Sequence, residues 1–174
     1  MIKKIFNKIK RKANYVKWLR EVGGVEIGDN CEIYSSANFG SEPYLISLGN
    51  HVRINSGVQL ITHDGGVWVL REYLDILEHE KIDLFGQIKI GNNVHIGTNA
   101  IIMPNVIIGN NVIIGCGAVV TKNIPDNSIA VGVPARIIKT IDEYAKQHIK
   151  EFDYTKKMSN NSKKEYLLKK FLKY

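Results

Sequence analysis

Between residues 27 and 125 apolar side chains return at every sixth position, not every second or every third to fourth. In sixes the chain reads IGDNCE, IYSSAN, FGSEPY, LGNHVR, INSGVQ and LITHDG, then, after a break, IGNNVH, IGTNAI, IMPNVI, IGNNVI, IGCGAV and VTKNIP. The first position is Ile27, Ile33, Phe39, Leu48, Ile54, Leu60, Ile90, Ile96, Ile102, Ile108, Ile114 and Val120, apolar in all twelve. The second is Gly in seven, and the fifth is Val, Ala, Cys, Pro or Ile everywhere except at Asp64. Neither a helix nor an alternating strand has this period. It predicts a short strand that points one aliphatic residue inward, followed by a tight corner. Gly and Asn suit such corners because they reach left-handed backbone angles at least cost. Three hexads close one triangular coil of 18 residues, and coils stack about 4.8 Å apart. The expected fold class is an all-β solenoid with a ladder of Ile on Ile as its core.

The pattern breaks twice. Leu45-Ile46-Ser47 reads as a three-residue insertion, and residues 66–89 (GVWVLREYLDILEHEKIDLFGQIK) lose the period altogether. So long an excursion from a compact solenoid is uncommon unless it serves a function. Helical spacing recurs at both ends, in Ile2, Ile5, Phe6, Ile9, Val16 and Leu19, and in DEYAKQHIKEF. The chain thus divides into a basic helical segment (1–22), the solenoid (23–139) with an excursion loop at 64–89, and a basic helical extension (140–174).

Composition narrows the class. With 174 residues, 44% of them apolar, 24% charged and only 4 Pro, the chain suits one domain with a core and is neither disordered nor collagen-like. Two cysteines, Cys31 and Cys116, cannot make a disulfide framework; free thiols in a reducing compartment are expected. The net charge of +7 is unevenly spread. Residues 1–20 hold eight Lys and Arg and no acid, and residues 150–174 hold eight Lys and three acids, which leaves the solenoid acidic. No run reaches the roughly 18 apolar residues of a membrane span, and the start lacks the apolar core of a signal peptide. A cytoplasmic location is expected. The amphipathic basic N-terminal segment could rest on anionic lipid, as a peripheral membrane contact, or cap the end of the solenoid. No nucleic-acid recognition motif accompanies the charge, so no nucleic-acid partner is expected.

Three segments carry a resemblance: THDGGVWVLRE at 62–72, IGNNVHIGTNAIIMPNVIIGNNVIIGCGAVVTKNIP at 90–125, and SIAVGVPARIIK at 128–139. Over about residues 25–140 the chain resembles the hexapeptide-repeat acyltransferase superfamily, in particular the galactoside, maltose and xenobiotic O-acetyltransferases and the acetyltransferases of polysaccharide gene clusters. The resemblance implies a left-handed parallel β-helix, opposite in hand to ordinary crossovers. It also implies acetyl-CoA as donor and a homotrimer with each site between two subunits.

In this family one His, where the long loop leaves the helix, is the base; the matching position is His63. An imidazole, with an unperturbed pKa near 6.5, can take a proton from a hydroxyl and return it to the leaving thiolate. An acid is wanted beside it, and Glu42 and Asp64 are the candidates. SANFGSEPYLI resembles the family's acceptor-binding stretch, which points to Asn38 and Glu42; ordinary corner hydrogen bonding and a solvated carboxylate are their plainer readings. Tyr44, Trp68 and Tyr73 could stack on a sugar or pack the loop. By the same analogy the amide near Thr98 would hold the oxyanion, and Thr121, Lys122, Arg136 and Lys139 would contact the cofactor. Cys116 would be a small groove residue and not a nucleophile. His63, His79 and His95 are spaced 16 and 16 apart, out of step with an 18-residue coil, so no metal site is expected. His95 reads as a packing residue, and His51, His79 and His148 as solvated.

The expected activity is transfer of acetyl from acetyl-CoA to a sugar hydroxyl in glycan synthesis. N-acetylation of an amino sugar or nucleotide-sugar is the nearest alternative. A non-catalytic hexapeptide-repeat scaffold is the reading from another class.

Overall fold

A computed structural model describes residues 15–172. The chain divides after Asp142 into two compact units. In the first, the chain visits three sheets in strict rotation, each strand pairing in parallel with the one a coil before it. Sheet one holds β1 (Glu26–Ile27), β3 (Ile46–Leu48), β6 (Ile88–Ile90) and β9 (Ile107–Ile108). Sheet two holds β2 (Glu32–Ile33), β4 (Val52–Ile54), β7 (Val94–Ile96), β10 (Val112–Ile114) and β12 (Ser128–Val131), closed by the antiparallel β13 (Arg136–Thr140). Sheet three holds β5 (Gln59–Leu60), β8 (Ile101–Ile102) and β11 (Val119–Val120), with Asn38 bridged to Gln59 above them.

Strand register follows the hexads. Ile90 pairs with Ile108, Ile96 with Ile114 and Ile102 with Val120, each one 18-residue coil apart. Ten of the twelve first-position residues are buried. The exceptions, Ile27 and Ile33, lie in the first coil. Burying one such side chain is worth about 1.5–3 kcal/mol, so the ladder supplies the main favourable term.

Three details differ from the sequence pattern. The short insertion is the 3-10 turn Pro43–Leu45; Ile46 is already in β3, 1% exposed and paired with Ile88. The long excursion ends earlier than residue 89, because Ile88 and Lys89 belong to β6. Between its ends lie α2 (Val67–Tyr73) and the 3-10 turn His79–Lys81.

The third difference concerns the glycines. Left-handed angles fall on the fourth hexad position, at Asn30, His51, Asn93, Asn99, Asn105 and Asn111. Most second-position glycines are required instead by close stacking. A Cβ on Gly91 would stand 2.7 Å from Gly109 O, and one on Gly97 2.6 Å from the Cys116 amide nitrogen.

Helix α1 (Tyr15–Glu21) covers the open first coil. Tyr15 and Leu19 are buried, Tyr15 Oη donates to Ala37 O at 2.7 Å, and Arg20 donates to the carbonyls of Ile27 and Gly28. Residues 15–21 therefore act as a cap; residues 1–14 of the basic segment lie outside the described residues. Helix α3 (Ile141–His148) starts two residues before that division, and the second unit goes on to α4 (Asn160–Phe171), whose first turn is capped by Ser159 accepting from Ser162 N–H. Asp153 accepts from Tyr166 Oη and Lys170 Nζ, tying the preceding segment to α4. Among the described residues no helix is long and apolar enough to cross a membrane.

Candidate active site

The corner between sheets three and one is where the excursion leaves and returns. Beyond β5 the chain reaches Thr62 and His63, and His63 forms an isolated antiparallel bridge with Phe85. Asp64 N–H donates to Leu84 O and Gly86 N–H to Thr62 O, both at 2.8 Å, so the excursion closes at a narrow neck. The His63 ring meets the Phe85 ring edge-on, 6.4 Å between centroids.

The preceding coil brings Glu42 to the same corner. Its Oε2 accepts from Thr62 Oγ1 at 2.9 Å and lies 3.1 Å from His63 Nδ1. Thr62 is completely buried, the Glu42 side chain largely so, and the His63 side chain is about half exposed. Burial pushes the Glu42 carboxyl up, but hydrogen bonds from Ser41, Thr62 and His63, together with the imidazole's charge, more than offset it. The carboxyl is held below its ordinary value. An ionised carboxylate only accepts, so Nδ1–H is the donor in this contact, and in the neutral imidazole Nε2 is then the nitrogen with the lone pair. The pair thus presents a fixed tautomer with a basic nitrogen.

The other candidates are distributed as follows. Asp64 does not meet the imidazole: its Oδ1 accepts from Gly66 N–H at 2.8 Å and shapes the first turn of the excursion. Asn38 spends both ends of its amide on the corner, donating to Gln59 Oε1 and accepting from Gly40 N–H. Tyr44 on the 3-10 turn and Trp68 and Tyr73 on α2 are largely exposed. Thr121 and Lys122 follow β11 at the same corner as His63, two coils along, and both are exposed. Thr98 and Cys116 sit at a different corner, between sheets two and three, where Gly117 N–H donates to Thr98 O. Cys116 is an exposed free thiol. Arg136 opens β13, exposed, and Lys139 lies near its end opposite Ile129. One chain therefore joins His63 to Glu42 and does not bring Thr98 to them.

Sequence reasoning missed Thr62 and Phe85. The signal for Thr62 was its place in THDGG, where a hydroxyl precedes the base; Phe85 lay in patternless sequence.

Comparisons with known proteins match the repeat and its fold. Residues 87–122 match the family described as "Bacterial transferase hexapeptide (six repeats)". Over 172 residues, 98% of this chain and 96% of the relative, the sequence is 49% identical to Protein CapG of Staphylococcus aureus. The chain belongs to the hexapeptide-repeat acyltransferases. Among solved members of this acyltransferase family, a maltose O-acetyltransferase from Clostridium difficile 630 superposes with a TM-score of 0.56 at 35% identity, covering 67% of this chain and 59% of that one. A galactoside acetyltransferase in complex with coenzyme A gives 0.55 at 33% identity, covering 71% and 58%. The chain thus spans less than two thirds of the length of either solved enzyme.

Proposed function

We propose that this acyltransferase moves an acetyl group from acetyl-CoA to a sugar hydroxyl, with His63 Nε2 as general base, on a coil wound in the family's left-handed sense. The observation that carries the reading is the contact between His63 Nδ1 and Glu42, which in the neutral imidazole assigns the proton to Nδ1 and the lone pair to Nε2. The sugar oxygen attacks the acetyl carbonyl while Nε2 takes its proton. The tetrahedral intermediate then expels the CoA thiolate, which recovers that proton from the imidazolium. The products are the O-acetyl sugar and free CoA thiol, and no acyl-enzyme is needed. The likeness to a galactoside acetyltransferase solved with coenzyme A and to a maltose O-acetyltransferase supports both substrates.

Because Thr98 and His63 occupy different corners of one chain, an oxyanion donor near Thr98 would have to come from a neighbouring copy. A homotrimer with sites between subunits meets that need. Thr121, Lys122, Arg136 and Lys139 are the side chains assigned to the CoA phosphates and arm. The test is thiol release from acetyl-CoA across sugars, amino sugars and nucleotide-sugars, comparing wild type with His63→Ala. A fall in kcat of roughly 10²–10⁴-fold is expected; full turnover in the variant would overturn the assignment. Product on nitrogen instead of oxygen would replace the sugar hydroxyl with an amine.

A further inference from the structure

The outer face of sheet one, the sheet that follows the His63 corner, carries a second polar site. Glu26, Ser47 and Lys89 stand side by side on β1, β3 and β6, in register and pointing away from the core, since Ile46, Leu48, Ile88 and Ile90 around them are buried. With Tyr44 and Gln87 they line a cleft of about 240 Å³. Among the described residues neither the Glu26 carboxylate nor the Lys89 ammonium makes an ion pair or a hydrogen bond. An acid and a base on either side of Ser47, exposed and unpaired, offer an acceptor and a donor to a ligand.

Both walls of the cleft are tied to the base. Tyr44 lies two residues beyond Glu42, whose carboxylate meets His63. Gln87 lies two residues beyond Phe85, which bridges His63, and next to Gly86, which bonds to Thr62 O. Each wall therefore lies two residues along the chain from a group that touches His63.

The lining is mixed. Lys89 and Gln87 donate, Glu26 and Ser47 accept, the formal charge sums to zero, and Tyr44 offers an exposed ring face. A simple anion or cation would meet its own sign as readily as its opposite. Sugar hydroxyls both donate and accept, and a pyranose face stacks on an aromatic ring. We propose that this cleft holds a second sugar ring of the acceptor, so that the enzyme acetylates a glycan of two or more rings in preference to a free monosaccharide. The inference rests on the sugar-acceptor reading above and adds the acceptor's size and the residues that measure it.

The test follows thiol release with matched pairs, glucose against maltose, galactose against lactose, and N-acetylglucosamine against chitobiose, in wild type, Glu26→Gln and Lys89→Met. Wild type is expected to favour the disaccharide of at least one pair about tenfold in kcat/KM. Each substitution should raise the disaccharide KM about tenfold and leave monosaccharide kinetics and the acetyl-CoA KM within about twofold. Both side chains are exposed, so thermal midpoints should not move, and a matching midpoint certifies the comparison. Equal effects on both members of a pair, or no effect on either, would overturn the cleft while leaving the sugar-acceptor reading intact. Silence with all six sugars would overturn that reading and this inference with it.

Discussion

Thr62 Oγ1 and His63 Nδ1 address the same oxygen of Glu42, at 2.9 and 3.1 Å, the hydroxyl wholly buried and the ring half open to solvent. The buried bond holds the carboxylate in place for the exposed one. Thr62→Val should remove a donor to the ionised form and raise the Glu42 pKa. A group with a depressed folded pKa contributes stability above its unfolded value, near 4.5, and loses it as pH falls through the folded pKa. In the variant that loss should be smaller and complete at a higher pH, measured as unfolding midpoints between about pH 3 and 7. Turnover should fall roughly tenfold with the acetyl-CoA KM unchanged, because the hydroxyl touches no substrate.

Glu42→Gln keeps the shape and removes the charge. A glutamine amide can accept from Nδ1–H or donate to Nδ1, so the tautomer is no longer fixed. A loss of roughly 10–10³-fold in kcat is expected, smaller than for His63→Ala. Equal losses in the two variants would make Glu42 more than an orienting group.

His95 pairs in register with Arg53 on the outer face of sheet two. Burial, then the Arg53 charge, lowers its pKa. The unfolded chain therefore binds a proton that the folded chain resists, and stability should decline as pH falls below about 6.5 toward the folded value. His95→Asn should flatten that part of the stability profile, read by thermal unfolding at a series of pH values.

Gly97→Ala would drive a Cβ into the backbone of the next coil. That contact is with main chain and cannot be relieved by a rotamer, so a loss of about 2–4 kcal/mol is expected. Asn99→Gly, at a left-handed position two residues on, should change stability by well under 1 kcal/mol. Denaturant titration of the two variants separates close stacking from backbone angle as the reason for each corner residue.

Arg71 ties α2 to the returning limb of the excursion through Ile82 O and Asp83. Arg71→Ala should loosen residues 64–85 and leave the Ile ladder untouched. Faster limited proteolysis in that stretch, with an unchanged global unfolding midpoint, is the expected result.

The period of six made the solenoid legible because every coil repeats one packing problem, and Ile90, Ile96 and Ile102 solve it identically. His63 was legible because it stands where that period stops. The insertion was misplaced by a few residues because Ile46 looks like loop in a broken hexad, yet it pairs with Ile88 after a chain detour that no local window spans. Asp64 seemed an equal rival to Glu42 because it adjoins His63 in sequence. Neighbours in an extended chain point apart, however, and the carboxylate that meets the ring comes from the coil before.

A stack of identical coils has no intrinsic end, since each terminal coil offers unpaired amides and carbonyls to another chain. Arg20 spends its guanidinium on two of those carbonyls at one end, and at the other β13 reverses direction and pairs antiparallel along β12. Both features set a coil's end apart from the repeating coils, and deleting them is expected to favour end-to-end growth. A chain stripped of both would be a seed for filaments before it was a failed enzyme.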